Sequence, residues 1–568
     1  MLTSVFKEDV EMLKVRRLPK ALIVLAIVAV VGIWQLAELR AQATAGFVFD
    51  MNDQGKTINN KFSVLNSWYY KGEWTTAPSS YPDDYISSNF PFIERVHLMT
   101  ATGGSLQRDL FRNPLSGRGA LDDYNFEPLK QAIRQVLRQG LKPYIKTGNV
   151  PMKYSDRPVI GVFGVNVKPP KDYDVYYEYI KALAESMVEE FGIDEVKTWW
   201  WGVLTEYENK DWFDAGDPES TKIAYFKLYD YTVAALEEVL GPENVFVGAH
   251  SMSVIPGYWD EREFLEHVVS GTNYKTGEKG TQIDFLAVSY YDNTLVGLDG
   301  QRFIRIIEEV RQKALSLGLT DLLYGVDEGR VLVGWDGKEL TSRVVNFSAQ
   351  ATADAKLFKL MVEHDVDYFS TWGLTTERIW GGANVVSTNL ANLVYRMTGD
   401  KAIGGGLVRR SSNRRNEVDG LASFDESANI LRILVYNNSS GPTLGSDDSF
   451  EITINNIQAV EGTTVTIEEW RIDDEHANWW PTWWEDQKEH GLTDDDYDWS
   501  RYSAEIPRVL INREDKEFWR SREPEYIRLG ELTSTTFKAE IEDNTLVIKD
   551  DIARHGVVFY EIRFVKSN

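Results

Sequence analysis

From about Phe62 to Trp372 the chain alternates short apolar, β-rich runs with amphipathic stretches. The strand candidates are Phe62–Asn66, Ile93–Met99, Pro143–Thr147, Trp199–Leu204, Val245–Gly248, Phe285–Tyr290, Leu323–Val326 and Tyr368–Trp372. Between them, Tyr177, Ile180, Leu183, Met187 and Phe191 fall at helical spacing, as do Phe303, Ile306, Ile307 and Val310. Strands that alternate with amphipathic helices predict a parallel sheet with crossover connections. Eight such repeats close into a (β/α)8 TIM barrel of the α/β class. An open, doubly wound sheet is the alternative. It normally carries a Gly-rich phosphate turn after its first strand, and none is found there.

After about Lys401 the texture changes. Leu431–Tyr436, Phe450–Ile454, Thr463–Glu468, Phe537–Ile541 and Thr545–Ile548 read as strands, with little helical periodicity between them. A C-terminal β-sandwich is expected, and the β-like Phe47–Asp50 can return to it. The expected division is a leader over 1–45, the barrel over 46–400 and the sandwich over 401–568. Trp479, Trp480, Trp483 and Trp484 are expected on a loop leaving the sandwich, anchoring the two domains, with one of them lining the cleft.

The leader is not part of the fold. Lys14, Arg16, Arg17 and Lys20 precede an apolar run from Ala21 to Trp34, which Leu36 and Ala37 extend. At ~1.5 Å per residue the run barely spans a ~30 Å hydrocarbon core. The long basic stretch before it favours a retained anchor, whereas Ala41-Gln42-Ala43 offers the pattern of a cleaved signal. Either way the rest of the chain is expected outside the cytoplasm, periplasmic, extracellular or membrane-anchored.

Net charge narrows the partners. At −26, the chain repels phosphate backbones and anionic lipid, so nucleic acid is excluded and membrane contact is expected only through the leader. There is no Cys, which removes disulfides, thiolate metal sites and Cys nucleophiles. The seven His are scattered without metal-ligand spacing, and Asp494-Asp495-Asp496 lacks the EF-hand pattern. No metal and no cofactor are expected. No G-x-S-x-G elbow points to a serine hydrolase. The 18 Trp suggest flat apolar platforms of the kind sugar rings stack on. The oligomeric state is not fixed by any of these features.

Barrel active sites lie at the C-terminal ends of the strands. The fourth run reads Trp199-Trp200-Trp201-Gly202-Val203-Leu204-Thr205-Glu206 and the seventh Leu322-Leu323-Tyr324-Gly325-Val326-Asp327-Glu328, so each ends in a Glu. Two carboxyl groups flanking one bond are what glycoside hydrolysis requires, ~5–5.5 Å apart when the stereochemistry is retained. Trp199 and Trp201 are expected to give Glu206 an apolar surround, raising its pKa.

At these residues the chain resembles glycoside hydrolase family 39, which includes β-xylosidases, α-iduronidases and exopolysaccharide glycosidases. Arg95-Val96-His97 resembles the family's R-x-H on the second strand. The stretch from Tyr124 through Lys142-Pro143 to Gly148-Asn149-Val150-Pro151 resembles its "fDqlvdaLlenGikPfvelgfmP". Pro169–Trp201, with Phe191-Gly192 and Glu195-Val196, resembles the approach to its acid/base. Phe226-Lys227-Leu228-Tyr229-Asp230 is similar to its "YfkLYd", and Arg471-Ile472-Asp473, His476, Asn478 and Trp483 or Trp484 resemble its C-terminal signature.

The resemblance implies a retaining glycosidase with Glu206 as acid/base and Glu328 as nucleophile. It implies substrate contacts from Arg95, His97, Asn149, Thr205, His250, Ser289, Tyr291, Arg330 and Trp372. The partner is then a polysaccharide or oligosaccharide. Several positions depart from the pattern. The family's Asn before the acid/base is Thr205 and the Pro after it is Tyr207. The strand-six His is Ser289, and "GGP" after strand five is Gly248-Ala249-His250. Arg95, His97, Lys146, His250, Arg330 and Arg378 gather near the expected mouth; they suggest either a subsite for a carboxylated or sulfated sugar or, for some of them and Lys146 above all, buried pairing with acidic residues. The competing readings are a non-catalytic carbohydrate-binding protein on the same barrel and a structural surface protein without a deep pocket.

Overall fold

The computed structural model describes residues 44–67, 81–114, 120–252, 257–292, 300–331, 348–371, 385–413, 415–439, 445–458, 462–498 and 510–564. The side chains of Asp292, Arg330, Val331 and Thr371 lie outside that description, as do Trp372, Arg378 and the leader up to residue 43. Among the described residues no helix is long and apolar enough to cross a membrane.

The first strand, β1 (Ala45–Thr57), is followed by eight that build the barrel: β2 (Val64–Ser67), β3 (Arg95–Leu98), β4 (Lys142–Thr147), β5 (Trp200–Val203), β6 (Val247–Ser251), β7 (Phe285–Asp292), β8 (Leu323–Val331) and β9 (Tyr368–Thr371). Each pairs in parallel with the next, and β9 returns to β2 through Val64 opposite Ser370, so the sheet closes. Helices such as Tyr173–Phe191 and Pro218–Leu240 cross between consecutive strands. Period-2 alternation sends one face of each strand into the barrel and the other to these helices. Tyr144, Trp200, Phe246, Phe285 and Tyr368 fill the inside towards the strand N-termini. Trp199 and Trp201 join the helix-facing core instead, with Phe191 against Trp199 at 5.5 Å.

The second sheet differs from the expected sandwich by closing on itself. Its strands are β1, β10 (Lys401–Arg409), β11 (Asn416–Asp425), β12 (Ile430–Ser439), β13 (Asp448–Asn455), β14 (Thr464–Ile472), β15 (Ser534–Glu542), β16 (Thr545–Ile552) and β17 (Val557–Arg563). Residues 45–57, grouped with the barrel by sequence order, pair antiparallel with β10 and parallel with β13. That parallel pairing seals the sheet and buries Ala45, Phe47 and Phe49. β12 is buried along its whole length. Leu431, Ile433 and Val435 face the sheet's own core, whereas Leu434 and Tyr436 join the barrel's. The two domains therefore share one continuous apolar contact through β12.

Trp480, Trp483 and Trp484 do not sit in a loop. They belong to a helix, Trp480–His490, with Pro481 in its first turn and Trp479 just before it. Trp479 and Trp483 pack on Trp519 and Tyr526 of the helix Arg513–Leu529, at ring distances of 4.9 to 6.1 Å. Asn389, on the barrel helix Val385–Tyr395, donates to the Ala477 and Gly530 carbonyls, both at 3.0 Å, and ties this aromatic insert to the barrel.

Candidate active site

Glu206 follows β5 in a strained turn. Leu204 and Glu206 both have positive φ, 63° and 44°, a conformation that costs an L-residue about 1–2 kcal/mol. Two backbone bonds hold it: Leu204 N donates to Thr147 O at 2.9 Å, and Tyr207 N donates to His250 O at 3.0 Å. The neighbouring turn must be glycine. Gly148 has φ 94°, and a Cβ there would stand 2.7 Å from Leu204 N. The turn carries the Glu206 carboxyl inward, where it is 7% exposed. Oε1 accepts from Ser289 Oγ at 2.7 Å and Oε2 from Asn209 Nδ2 at 2.8 Å. Burial raises the carboxyl's pKa above the ordinary Glu value, against hydrogen bonds from Ser289, Asn209 and Trp212 and the Lys146 charge. The apolar surround is thus not made by Trp199 and Trp201, whose side chains point to the helices. Trp212, further along the same loop, is the indole that reaches Glu206.

Glu328 lies in β8 after a bulge. Val288 is opposite Val326, but Ser289 is opposite Glu328, so Asp327 is the extra residue. A bulge breaks strict alternation, and here it lets two consecutive acidic side chains both turn inward. Asp327 sinks into the barrel, and Glu328 stays partly exposed above it. Tyr291 OH donates to Glu328 Oε1 at 2.5 Å. Arg330 is opposite Tyr291 in the ladder, through its backbone.

Beneath both Glu residues lies a buried polar cluster. Asp327 Oδ2 accepts from Lys146 Nζ at 2.5 Å and Tyr144 OH at 2.6 Å, and Oδ1 accepts from Tyr368 OH at 2.7 Å. His250 Nε2 lies 2.8 Å from Ser289 Oγ, and Nδ1 lies 3.5 Å from Lys146 Nζ. His97 stacks on Tyr144 with ring centroids 4.1 Å apart. Burial alone would raise the Asp327 carboxyl, but the charge of Lys146 and the hydrogen bond it donates hold it well below the carboxylate range. Burial lowers Lys146, against the opposing charge of Asp327. Three donors on one carboxylate favour the ion pair. Burial and the neighbouring Lys146 push His97 down to about 3, and His250 well below its ordinary value, so both rings are neutral.

The other expected site residues are placed unevenly. Arg95 opens β3 at the base of the barrel, its guanidinium 4.2 Å over the Trp200 ring, far from the strand C-termini. It is not a site residue. Asn149 and Thr205 follow adjacent strands β4 and β5, both buried, and neither side chain has a hydrogen-bond partner among the described residues. Trp372 and Arg378 lie outside the described residues. Of the expected cations, Lys146 is paired with Asp327, His97 and His250 are neutral and Arg95 lies at the base of the barrel, while the Arg330 side chain and Arg378 lie outside the described residues. Among them, no group of three or more His, Asp or Glu could hold a metal ion.

Sequence reasoning missed Asp327, Tyr144, Tyr368, Asn209 and Trp212. Asp327 was readable as an acidic residue inside an apolar run. The tyrosines looked like ordinary strand aromatics.

The model of glycosyl hydrolases family 39 matches residues 104–319. The chain is similar to a β-xylosidase of Caldicellulosiruptor saccharolyticus, 27% identical over 173 residues, 30% of this chain and 32% of the relative. It is also similar to a β-xylosidase of Geobacillus stearothermophilus, 34% identical over 119 residues, 20% of this chain and 22% of the relative. The chain thus spans a third or less of these relatives' length. A solved structure, the GH39 enzyme from Xanthomonas axonopodis pv. citri, superposes with a TM-score of 0.63, covering 92% of this chain and 98% of that one at 14% identity. At that identity the likeness shows the fold.

Proposed function

We propose that the chain, whose residues 104–319 match the model of glycosyl hydrolases family 39, is a retaining glycosidase of that family with Glu206 as acid/base and Glu328 as nucleophile. One observation carries the reading. Ser289 donates to the Glu206 carboxyl and its backbone stands opposite that of Glu328 in the ladder, so both Glu residues lie beside one residue near the C-terminal end of β7. The environments are unequal in the sense the chemistry needs. Glu206 is buried with a raised pKa and keeps its proton for the leaving oxygen. Glu328 is partly exposed and accepts the Tyr291 hydroxyl, which holds the carboxyl in place.

The first step attacks the sugar carbon with Glu328 while Glu206 protonates the departing oxygen. The second uses Glu206 as base on a water that releases the glycosyl-enzyme. The substrate is a neutral glycoside of an extracellular polysaccharide or its fragments, since the described side chains beside the two Glu are uncharged or already paired. The basic, then apolar leader supports a site outside the cytoplasm, which cell fractionation tests.

The deciding experiment offers aryl glycosides of neutral sugars to wild type and Glu328→Ala. Wild type releases product with retained anomeric configuration, read by NMR. Glu328→Ala loses turnover and regains part of it with azide, giving the inverted glycosyl azide. Binding of oligosaccharides without turnover would favour the carbohydrate-binding reading, which Thr205 and Ser289, in place of the family's Asn and His, keep in view.

A further inference from the structure

Behind Glu206 runs a line of side chains that the two-Glu mechanism does not use. Ser289 Oγ is 2.7 Å from Glu206 Oε1, His250 Nε2 is 2.8 Å from Ser289 Oγ, and Lys146 Nζ is 3.5 Å from His250 Nδ1. Ser289, His250 and Lys146 are 0% exposed, so bulk solvent does not reach them. Lys146 is held in turn by Asp327.

Valence fixes the direction of every donation. An ammonium has only protons to give. The Lys146 contact is long, but a proton on His250 Nδ1 would point straight at that ammonium, so Nδ1 is the bare nitrogen. A neutral ring then carries its proton on Nε2 and donates it to Ser289 Oγ. The single hydroxyl proton of Ser289 is left for Glu206 Oε1. The chain runs one way, from Lys146 to Glu206, and cannot reverse while Lys146 stays charged.

We propose that Lys146, His250 and Ser289 are positioning residues that keep Glu206 Oε1 a permanent acceptor and confine the transferable proton to Oε2. Oε2 is the oxygen beside Asn209 Nδ2, and a protonated Oε2 can still accept that bond. The acid is thereby presented from one oxygen in one orientation. After the proton leaves, the same donor stabilises the carboxylate that must act as base. The family's His at position 289 and its Pro at 250 are absent together, so the two departures form one device. This deepens the acid/base reading of Glu206 and rests on it.

The charged and titratable groups around the line are few. Glu206 meets Ser289 from β7, Asn209 and the Trp212 indole from the loop after β5, and the charge of Lys146 from β4. His250 meets Lys146, His97 and Asp327, the last 3.7 Å from Nδ1. Lys146 also senses Glu328.

The test reads Glu206 without substrate. Carboxyl carbon-13 NMR titration follows Glu206 in wild type, Ser289→Ala, His250→Phe, the double variant and Ser289→Thr, with Glu206→Gln assigning the signal. Ser289→Ala moves the midpoint upward, because a donor to the ionised form is gone. His250→Phe moves it the same way by less. The double variant matches Ser289→Ala, since His250 acts only through Ser289, and Ser289→Thr restores the wild-type value. On a glycoside with a poor leaving group Ser289→Ala loses about tenfold or more in kcat/KM, with a smaller loss on an activated one. An unmoved midpoint in Ser289→Ala, or additive shifts, overturns the proposal even if the protein is an active glycosidase. The expected shifts in a protein without glycosidase activity would leave the positioning chain standing and remove the acid/base reading instead.

Discussion

Lys146 and Asp327 meet at 2.5 Å in the middle of the barrel, with neither side chain exposed. Both charges have left water, and each is tolerable only because the other is there. Lys146→Met is therefore expected to destabilise the fold by about 3–5 kcal/mol, measured by urea denaturation. Replacing both partners, Lys146→Met with Asp327→Leu, returns most of that loss. The pH dependence has a definite sign. Asp327 is depressed in the folded state, so its stabilisation is present above the ordinary carboxylate pKa of about 4 and lost as pH falls from there towards the depressed value. Thermal melts should show the variant losing less stability than wild type on acidification through that window.

Burial raises the Glu206 pKa, and the first chemical step needs the protonated form. The kcat/KM profile should hold up beyond the ordinary Glu range and fall as pH rises through the raised value. Glu206→Gln removes that alkaline limb and lowers turnover of poor leaving groups by about 10²–10⁴-fold. An alkaline limb that survives in Glu206→Gln would assign the acid to another group.

Tyr291 gives Glu328 its shortest described hydrogen bond. A hydrogen bond to a charged group contributes about 1.5–3 kcal/mol, so Tyr291→Phe should lower kcat/KM by about ten- to a hundredfold. The loss should appear in formation of the glycosyl-enzyme, read as a pre-steady-state burst that slows with the variant.

Gly325 touches the same cluster from below. A Cβ there would stand 2.2 Å from the Tyr368 ring, whose hydroxyl donates to Asp327. Gly325→Ala should destabilise by about 1–3 kcal/mol, the usual effect of overpacking. If Tyr368 is what transmits the strain, Gly325→Ala combined with Tyr368→Leu will be less destabilised than the sum of the two, measured by chemical denaturation.

How far the sequence reaches is clear from these residues. Short apolar runs located all eight barrel strands, because strands that bury both faces are apolar along their length. The same runs ended in Glu206 and Glu328, and motif order tied both to one family. Arg95 was not legible: the apolar run Ile93–Met99 puts it inside the strand, whereas it is the first residue of β3 and so lies at the base of the barrel. In the second sheet β10, β11 and β17 went unread. Lys401–Arg409 carries three glycines in a row and little alternation, and its conformation is imposed by pairing with β1. Tertiary structure decided the rest. Lys146 and Asp327 are 181 positions apart, and no local pattern says that one neutralises the other. The bulge that turns Asp327 and Glu328 to the same side is a matter of ladder register, set by β7 and not by the sequence of β8. Whether a histidine is charged, and which oxygen of a carboxyl takes a hydrogen bond, depends on burial and on neighbours brought from other strands. Periodicity and motif order are carried by the chain itself, whereas charge state and hydrogen-bond direction exist only once the barrel has closed and excluded water.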